Sequence, residues 1–266
     1  MSNVSKFAEI SQLASKDVLN VLKTKGVSTV RYELELVKDI CNAPIADELL
    51  KFGSDIGSMM DFDWNIKINA ETFLMSILSE TGPDQRMFLR KSERGFFENV
   101  HGLFEKLASV NGAPKYIEID SEMFDAVTSI KFSFEEQTRM INAIINGAKS
   151  VNAQCKVIFS TSKCADNEAA KKWFNRFQIS GGKPFDVISI KYGMDAEQLY
   201  DMSLNMGDLS RRFEAEIIVD VKEISDESKA DISFEHVSSA VSVISLDRGL
   251  AVCYAETVFN RVMNVA

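Results

Sequence analysis

Lys156-Val-Ile-Phe-Ser-Thr161, then Asn167 to Phe177, then Phe185-Asp-Val-Ile-Ser-Ile190 set two short β-branched runs on either side of one helix-length amphipathic stretch. That is the pattern of a β-α-β unit, whose strands lie parallel. The same alternation extends both ways. Upstream, Phe134 to Val151 reads as a helix behind a strand at Lys115-Tyr-Ile-Glu-Ile-Asp-Ser-Glu122. Before it, Phe96, Phe97, Val100, Leu103, Phe104 and Leu107 fall at helical spacing between Gly95 and Val110. Downstream come a helix over Asp195 to Phe213, a strand at Glu216-Ile-Ile-Val-Asp-Val221, a helix over Phe234 to Leu246 and a last strand at Gly249-Leu-Ala-Val-Cys-Tyr254. At the N-terminal end, Lys16 to Lys25 is helical with Gly26 as its stop. A strand at residues 27–36, a helix over Ala46 to Phe52 and a strand at residues 56–64 follow. Lys6-Phe-Ala-Glu-Ile-Ser11 supplies the remaining strand.

Eight strands with intervening helices in 266 residues predict one closed α/β barrel, a (β/α)8 fold with a single domain over residues 1–266. An open doubly wound sheet is the alternative; no Gly-x-Gly-x-x-Gly follows any strand, and no phosphate-binding Gly-x-x-x-x-Gly-Lys loop occurs. A net charge of −9 and a pI of about 4.9, with scattered lysines and arginines, argue against nucleic acid and anionic membranes as partners. No apolar run is long enough to span a bilayer. Met1 to Lys16 lacks a signal-peptide core, so the chain as written reads as cytoplasmic; a mature secreted form would look the same. Cys41, Cys155, Cys164 and Cys253 contain no Cys-x-x-Cys pair, and only His101 and His236 could join them, so no zinc site is expected. The cysteines read as free thiols, with a Cys155–Cys164 disulfide as the alternative in a secreted protein. Asp226-Glu-Ser-Lys-Ala-Asp231 reads as a solvated acidic loop, with calcium as the alternative. No cofactor and no metal are expected.

Trp173-Phe-Asn-Arg-Phe-Gln-Ile-Ser-Gly-Gly-Lys-Pro-Phe-Asp-Val-Ile-Ser-Ile-Lys-Tyr192 resembles the sixth-strand region of the endo-β-1,4-galactanases of glycoside hydrolase family 53. Leu199, Leu204, Asn205, Leu209, Arg212 and Phe213, then Ile217-Ile-Val219, are similar to the helix and seventh strand that follow there. Arg248-Gly-Leu-Ala-Val-Cys-Tyr-Ala-Glu256 resembles the eighth strand, and Tyr116-Ile-Glu-Ile-Asp-Ser-Glu122 the fourth. Shorter pieces, Leu22 to Arg31, Asp61-Phe62 and Phe7 to Ser11, resemble the second, third and first strands. The resemblance implies a barrel whose chemistry sits at the strand C-termini, with β-galactan or another polysaccharide as ligand.

In such a retaining glycosidase one carboxyl protonates the leaving oxygen and a second, about 5–5.5 Å away, attacks the anomeric carbon. The resemblance places Glu122 as acid/base and Asp220 as nucleophile, where the family has Glu. It places Arg31, Asp63, Trp64, Ser121, Lys191, Tyr192, Tyr254 and Glu256 at sugar-binding positions. Several depart from the family: Asp63 stands for a His, Ser121 for an Asn, Lys191 for a small polar residue, Glu33 for an Arg and Ala255 for a Trp platform. Lys191 or Lys222 is therefore expected to pair with Glu122, Asp63 or Asp220. Two readings follow: a catalytically impaired barrel acting as a binding or structural module, with a polysaccharide or protein partner, and an active retaining galactanase.

Overall fold

The computed structural model of the chain describes residues 5–82, 84–125, 131–161, 166–192, 196–221 and 250–254, with the backbone alone at 5, 192, 196–203, 221 and 250–254. Eight strands close on themselves. They are β1 (Ser5–Ile10), β2 (Thr29–Glu35), β3 (Asp63–Asn69), β4 (Tyr116–Asp120), β5 (Lys156–Thr161), β6 (Val187–Tyr192), β7 (Glu216–Val221) and β8 (Leu250–Tyr254). Each pairs in parallel with the next, and β8 pairs with β1 through Phe7 opposite Cys253 and Ala8 opposite Tyr254. The ladder is thus a closed barrel and not an open sheet. Among the described residues seven α-helices surround it: α1 (Lys16–Thr24), α2 (Ile45–Gly57), α3 (Glu71–Thr81), α4 (Gln85–Ser109), α5 (Phe134–Val151), α6 (Asn167–Ile179) and α7 (Ala196–Phe213). The helix expected over Phe234 to Leu246 lies outside the described residues.

Successive side chains on a strand point to opposite faces, and here the two faces carry different chemistry. Val30, Leu34, Ile66, Ile117, Val157 and Val219 face the helices and join the main core, where Phe88, Phe96, Phe104 and Phe174 are fully buried. Each buried Phe contributes about 1.5–3 kcal/mol. The opposite face points into the barrel. Its floor is a separate apolar cluster of Phe7, Tyr116, Ile158, Val187 and Ile218.

One strand differs from its sequence reading. Residues 56–64 are not the third strand: Ile56 is the last buried position of α2, in helical phase with Leu49 and Phe52, and Asp61 takes a left-handed φ of 56° that ends any extended run. A short apolar stretch does not distinguish a strand from a helix end. The strand begins at Asp63. Helix α3 and the first turns of α4 were not anticipated; Phe73, Leu74 and Ile77 bury one face of α3, and the Asp84 carboxylate caps α4 by accepting from the Met87 N–H. Cys155, at the foot of β5, is a free thiol that burial pushes up to about 12.

Helices α4 and α5 pack closely because Gly147 of α5 has no side chain. A Cβ there would lie 2.9 Å from the Phe97 carbonyl oxygen and 3.1 Å from the His101 nitrogen. Alanine gains about 1 kcal/mol of helix propensity but forces the two backbones apart, a cost of about 1–3 kcal/mol. Gly147→Ala should therefore lower the urea midpoint with an unchanged m-value; an unchanged or raised midpoint would show that the helices part freely.

Candidate active site

The residues above the apolar floor are polar, and Arg31 of β2 organises them. Its Nε lies 2.9 Å from Glu118 Oε2 on β4, and its Nη1 lies 2.8 Å from Asp220 Oδ2 on β7 and 3.5 Å from Glu9 Oε2 on β1. Its Nη2 donates to Ser189 Oγ on β6 at 3.1 Å. One side chain reaches four other strands only from inside the barrel. The side chain of Arg31 is 0% exposed, those of Glu118 and Asp220 0% and 1%. Asn65 of β3 adds a second donor to Glu118 Oε2 at 2.5 Å. Glu118 Oε1, Asp220 Oδ1 and Ser160 Oγ have no hydrogen-bond partner among the described residues.

Above this layer lies the mouth, at the C-terminal ends of the strands. Lys67 Nζ is 2.8 Å from Glu33 Oε2, and Asn69 Nδ2 donates to Glu33 Oε1 at 3.1 Å. Burial works to lower the Lys67 pKa, but the hydrogen bond to Glu33 and the charges of Glu118 and Glu33 outweigh it and hold the ammonium above its ordinary range. Across the opening, Lys191 Nζ of β6 is 3.0 Å from Asp120 Oδ2 at the end of β4. Asp120 Oδ1 accepts the backbone N–H of Glu122 at 2.9 Å, so the same carboxylate fixes the turn that carries Glu122.

Glu122 thus stands half-buried in the turn after β4, and Asp220 on the penultimate residue of β7. Ser121 is buried; its N–H continues the ladder to the Ser160 carbonyl, and its hydroxyl has no partner among the described residues. Tyr192 and Tyr254 are the last residues of β6 and β8. Glu256, Lys222, Ala255, His236 and the 226–231 loop lie outside the described residues.

Three expectations need correction. Asp63 and Trp64 open β3 and so lie at the opposite end of the barrel. Asp63 pairs with Lys115 at 2.6 Å, and Trp64 is buried against Phe52, its indole N–H donating to the Gly112 carbonyl. Their displacement follows from the late start of the third strand. Arg31 has no surface to offer a sugar, since the buried carboxylates occupy it. Of the pairing expected for Lys191 or Lys222, the Lys191 half is corrected, since Lys191 takes Asp120 as its acid and Asp220, its register neighbour on β7, is already held by Arg31, while the Lys222 half falls outside the described residues. Glu9, Asn65, Lys67, Glu118 and Asp120 were missed. Their signal was polarity at alternate positions, as in Tyr116-Ile-Glu-Ile-Asp120, within strands whose other face is apolar.

Removing one partner of a buried ionic cluster costs about 3–5 kcal/mol, whereas replacing the whole cluster by apolar groups is often near neutral. Arg31→Met should destabilise by that amount in urea melts, and adding Glu118→Met and Asp220→Leu should recover a large part; a triple variant no better than the single would refute the coupling. For Lys67, whose folded pKa is raised, the stabilisation is fully present below its unfolded value of 10.5 and is lost as pH rises through the folded value. The stability gap between wild type and Lys67→Met should stay level from neutral pH to about pH 10 and narrow above it.

Comparison with known proteins bears on the family and the fold. Residues 116–265 match the model of glycosyl hydrolase family 53. Among solved structures the fold is similar to the Ignisphaera aggregans GH53 catalytic domain, with a TM-score of 0.69 and 12% identity over 95% of this chain and 80% of that chain. It is also similar to a psychrophilic family 10 endo-β-1,4-xylanase (TM-score 0.64, 10% identity, 95% of this chain and 86% of that one). The catalytic domain of the Paenibacillus polymyxa β-amylase gives a TM-score of 0.65 at 7% identity, over 97% of this chain and 93% of that one. At such identities the likeness shows the fold alone. No curated protein matches the chain. The matched stretch exceeds half of the sequence and takes in β4 to β8, including both strand ends where the candidate carboxylates stand, so the chain belongs to glycosyl hydrolase family 53.

Proposed function

We propose that this barrel is a galactanase-like module that does not turn sugar over and that serves to bind a polysaccharide or a protein partner. The observation that carries the reading is the state of Asp220. A nucleophile must present a carboxylate oxygen to the anomeric carbon. Asp220 is 1% exposed, and its Oδ2 is held 2.8 Å from the Arg31 guanidinium. Aspartate also ends one methylene short of the family's glutamate, and a displacement of about 1 Å costs around 100-fold in rate. The mouth points the same way. Lys191, where the resemblance gives a small polar residue, brings a charged pair with Asp120 to the mouth, and the Lys67–Glu33 pair adds a second. Ala255 in place of an aromatic platform removes a stacking surface, and with it binding energy that could distort a sugar ring.

The second reading, an active retaining endo-β-1,4-galactanase with Glu122 as acid/base and Asp220 as nucleophile, is favoured by one observation: both strand ends carry a carboxyl. Incubation with β-1,4-galactan and with an aryl β-galactoside separates the two. The wild type should release no more product than Glu122→Gln, and Asp220→Glu should restore little, because the Arg31 clamp and the altered mouth remain. Robust wild-type hydrolysis abolished by Glu122→Gln would establish the second reading.

A further inference from the structure

Away from the mouth, α4 and α5 run side by side and enclose a groove. One hollow of about 570 Å³ is lined by Arg86, Arg90 and Arg139 with Gln85, Glu93 and Glu136. A second, of about 550 Å³, shares Arg90, Glu93 and Arg139 and continues past Arg94 to Phe97, Asn142 and Asn146. The groove starts at the rim of the mouth. Phe132, just before α5, stacks on Phe88 of α4 at 5.5 Å, and Phe124, in the turn that carries Glu122, packs edge-on against Phe132.

The charges along it are unevenly matched. Glu93 lies 3.0 Å from Arg139, Glu98 lies 2.8 Å from Arg94, and Glu136 is engaged by the Ser133 N–H in the α5 capping box. Arg86 and Arg90 are exposed and have no carboxylate within ion-pair distance among the described residues. They sit four residues apart on one helix, about 6 Å along its axis, where like charges destabilise by a few tenths of a kcal/mol. A chain with a net charge of −9 leaves these two cations unneutralised side by side, and an external anion would relieve the repulsion. Guanidinium forks match carboxylates two bonds at a time. The far end of the groove is of another kind: Phe97 is 38% exposed, with its ring stacked on His101 at 5.5 Å and 9°, and the exposed Asn146 amide stands beside it. A flat aromatic face and an amide suit a sugar ring and its hydroxyls. The walls are helices, whose main-chain groups are already paired, so an extended acidic peptide would find no backbone partners there.

We propose that the α4–α5 groove is a second carbohydrate site that takes a carboxylate-bearing polysaccharide, its acids on Arg86 and Arg90 and a sugar ring on Phe97. The site does not depend on whether the mouth hydrolyses anything. The test is affinity electrophoresis of the full chain against polygalacturonate, with poly-L-glutamate and neutral β-1,4-galactan in parallel. Retardation by polygalacturonate should be saturable and should fall as salt rises above about 0.15 M, because the contacts are exposed ion pairs. Arg86→Ala with Arg90→Ala should weaken it at least 10-fold, Phe97→Ala several-fold, and Lys25→Ala, at an exposed position after α1 and outside both mouth and groove, not at all. All three groove side chains are exposed, so unchanged thermal melting is expected to accompany the loss. No retardation by polygalacturonate, or retardation indifferent to the double arginine variant, overturns the proposal. Equal retardation by poly-L-glutamate overturns the saccharide assignment in favour of an acidic protein. Equal retardation by galactan that is lost in Phe97→Ala but kept in the double arginine variant overturns the requirement for a carboxylate, whereas galactan retardation indifferent to every groove variant belongs to the mouth and bears on the module reading instead.

Discussion

The guanidinium of Arg31 is the constraint around which the interior of this barrel is arranged. Barrels of this kind are ordinarily filled by layers of branched aliphatic side chains. Here, among the described residues, the floor is apolar, and the layer above it places one fully buried cation against Glu118 and Asp220, with Glu9 at its edge. Desolvating an ion costs several kcal/mol, which only close carboxylates and hydrogen-bonding groups can offset. Strands β1, β2, β4, β6 and β7 are therefore tied to one another through the lumen as well as around the ladder. A shift in the register of any of them would move a charge out of reach of its partner.

That arrangement decides what is left for the mouth. Asp220, held from below by Arg31, is not available to Lys191, and Lys191 turns across the opening to Asp120. Asp120 in turn fixes the backbone of Glu122. On the other side Lys67 is kept charged by Glu33 and by the field of Glu118. The electrostatics thus run in a chain from the buried layer to the rim. The proposed loss of turnover follows from this chain more than from any one substitution, since Asp220 has a structural partner as well as a shortened reach.

The fold was legible in the sequence because its signal is local and repeated: seven of the eight strands lie within two residues of their reading. The third failed for a definable reason. Ile56 continues the helical phase of Leu49 and Phe52, and the apolar Met59-Met60 after it has the look of a strand without the backbone for one. That single error carried Asp63 and Trp64 to the wrong end of the barrel. The candidates Glu122, Asp220 and Lys191 came from family resemblance, and what the structure adds is their position at the strand ends. Which lysine meets which acid depends on the stagger of parallel strands, a property of the closed barrel and not of any one segment. Glu118 and Asp120 were visible as polar residues at alternate positions, but alternation alone does not say which face of a strand is the lumen.

The same alternation gives the proposed change of chemistry a route that leaves the family fold in place. Val219 and Ile217 face the helices, whereas Asp220 and Ile218 between and beside them face the lumen. Packing between barrel and helices, which contributes most of the buried apolar area, therefore sees nothing of a change from Glu to Asp at position 220. The lumen imposes a separate condition, that buried charges stay close to matched partners. Substitutions at the mouth that keep this condition, such as a lysine arriving where an aspartate can meet it, leave stability intact and are tolerated whatever they do to a sugar. Catalysis asks for more, a carboxyl at a defined distance with a free face. Of the three demands it is the one that neither the outer core nor the charge balance of the lumen enforces.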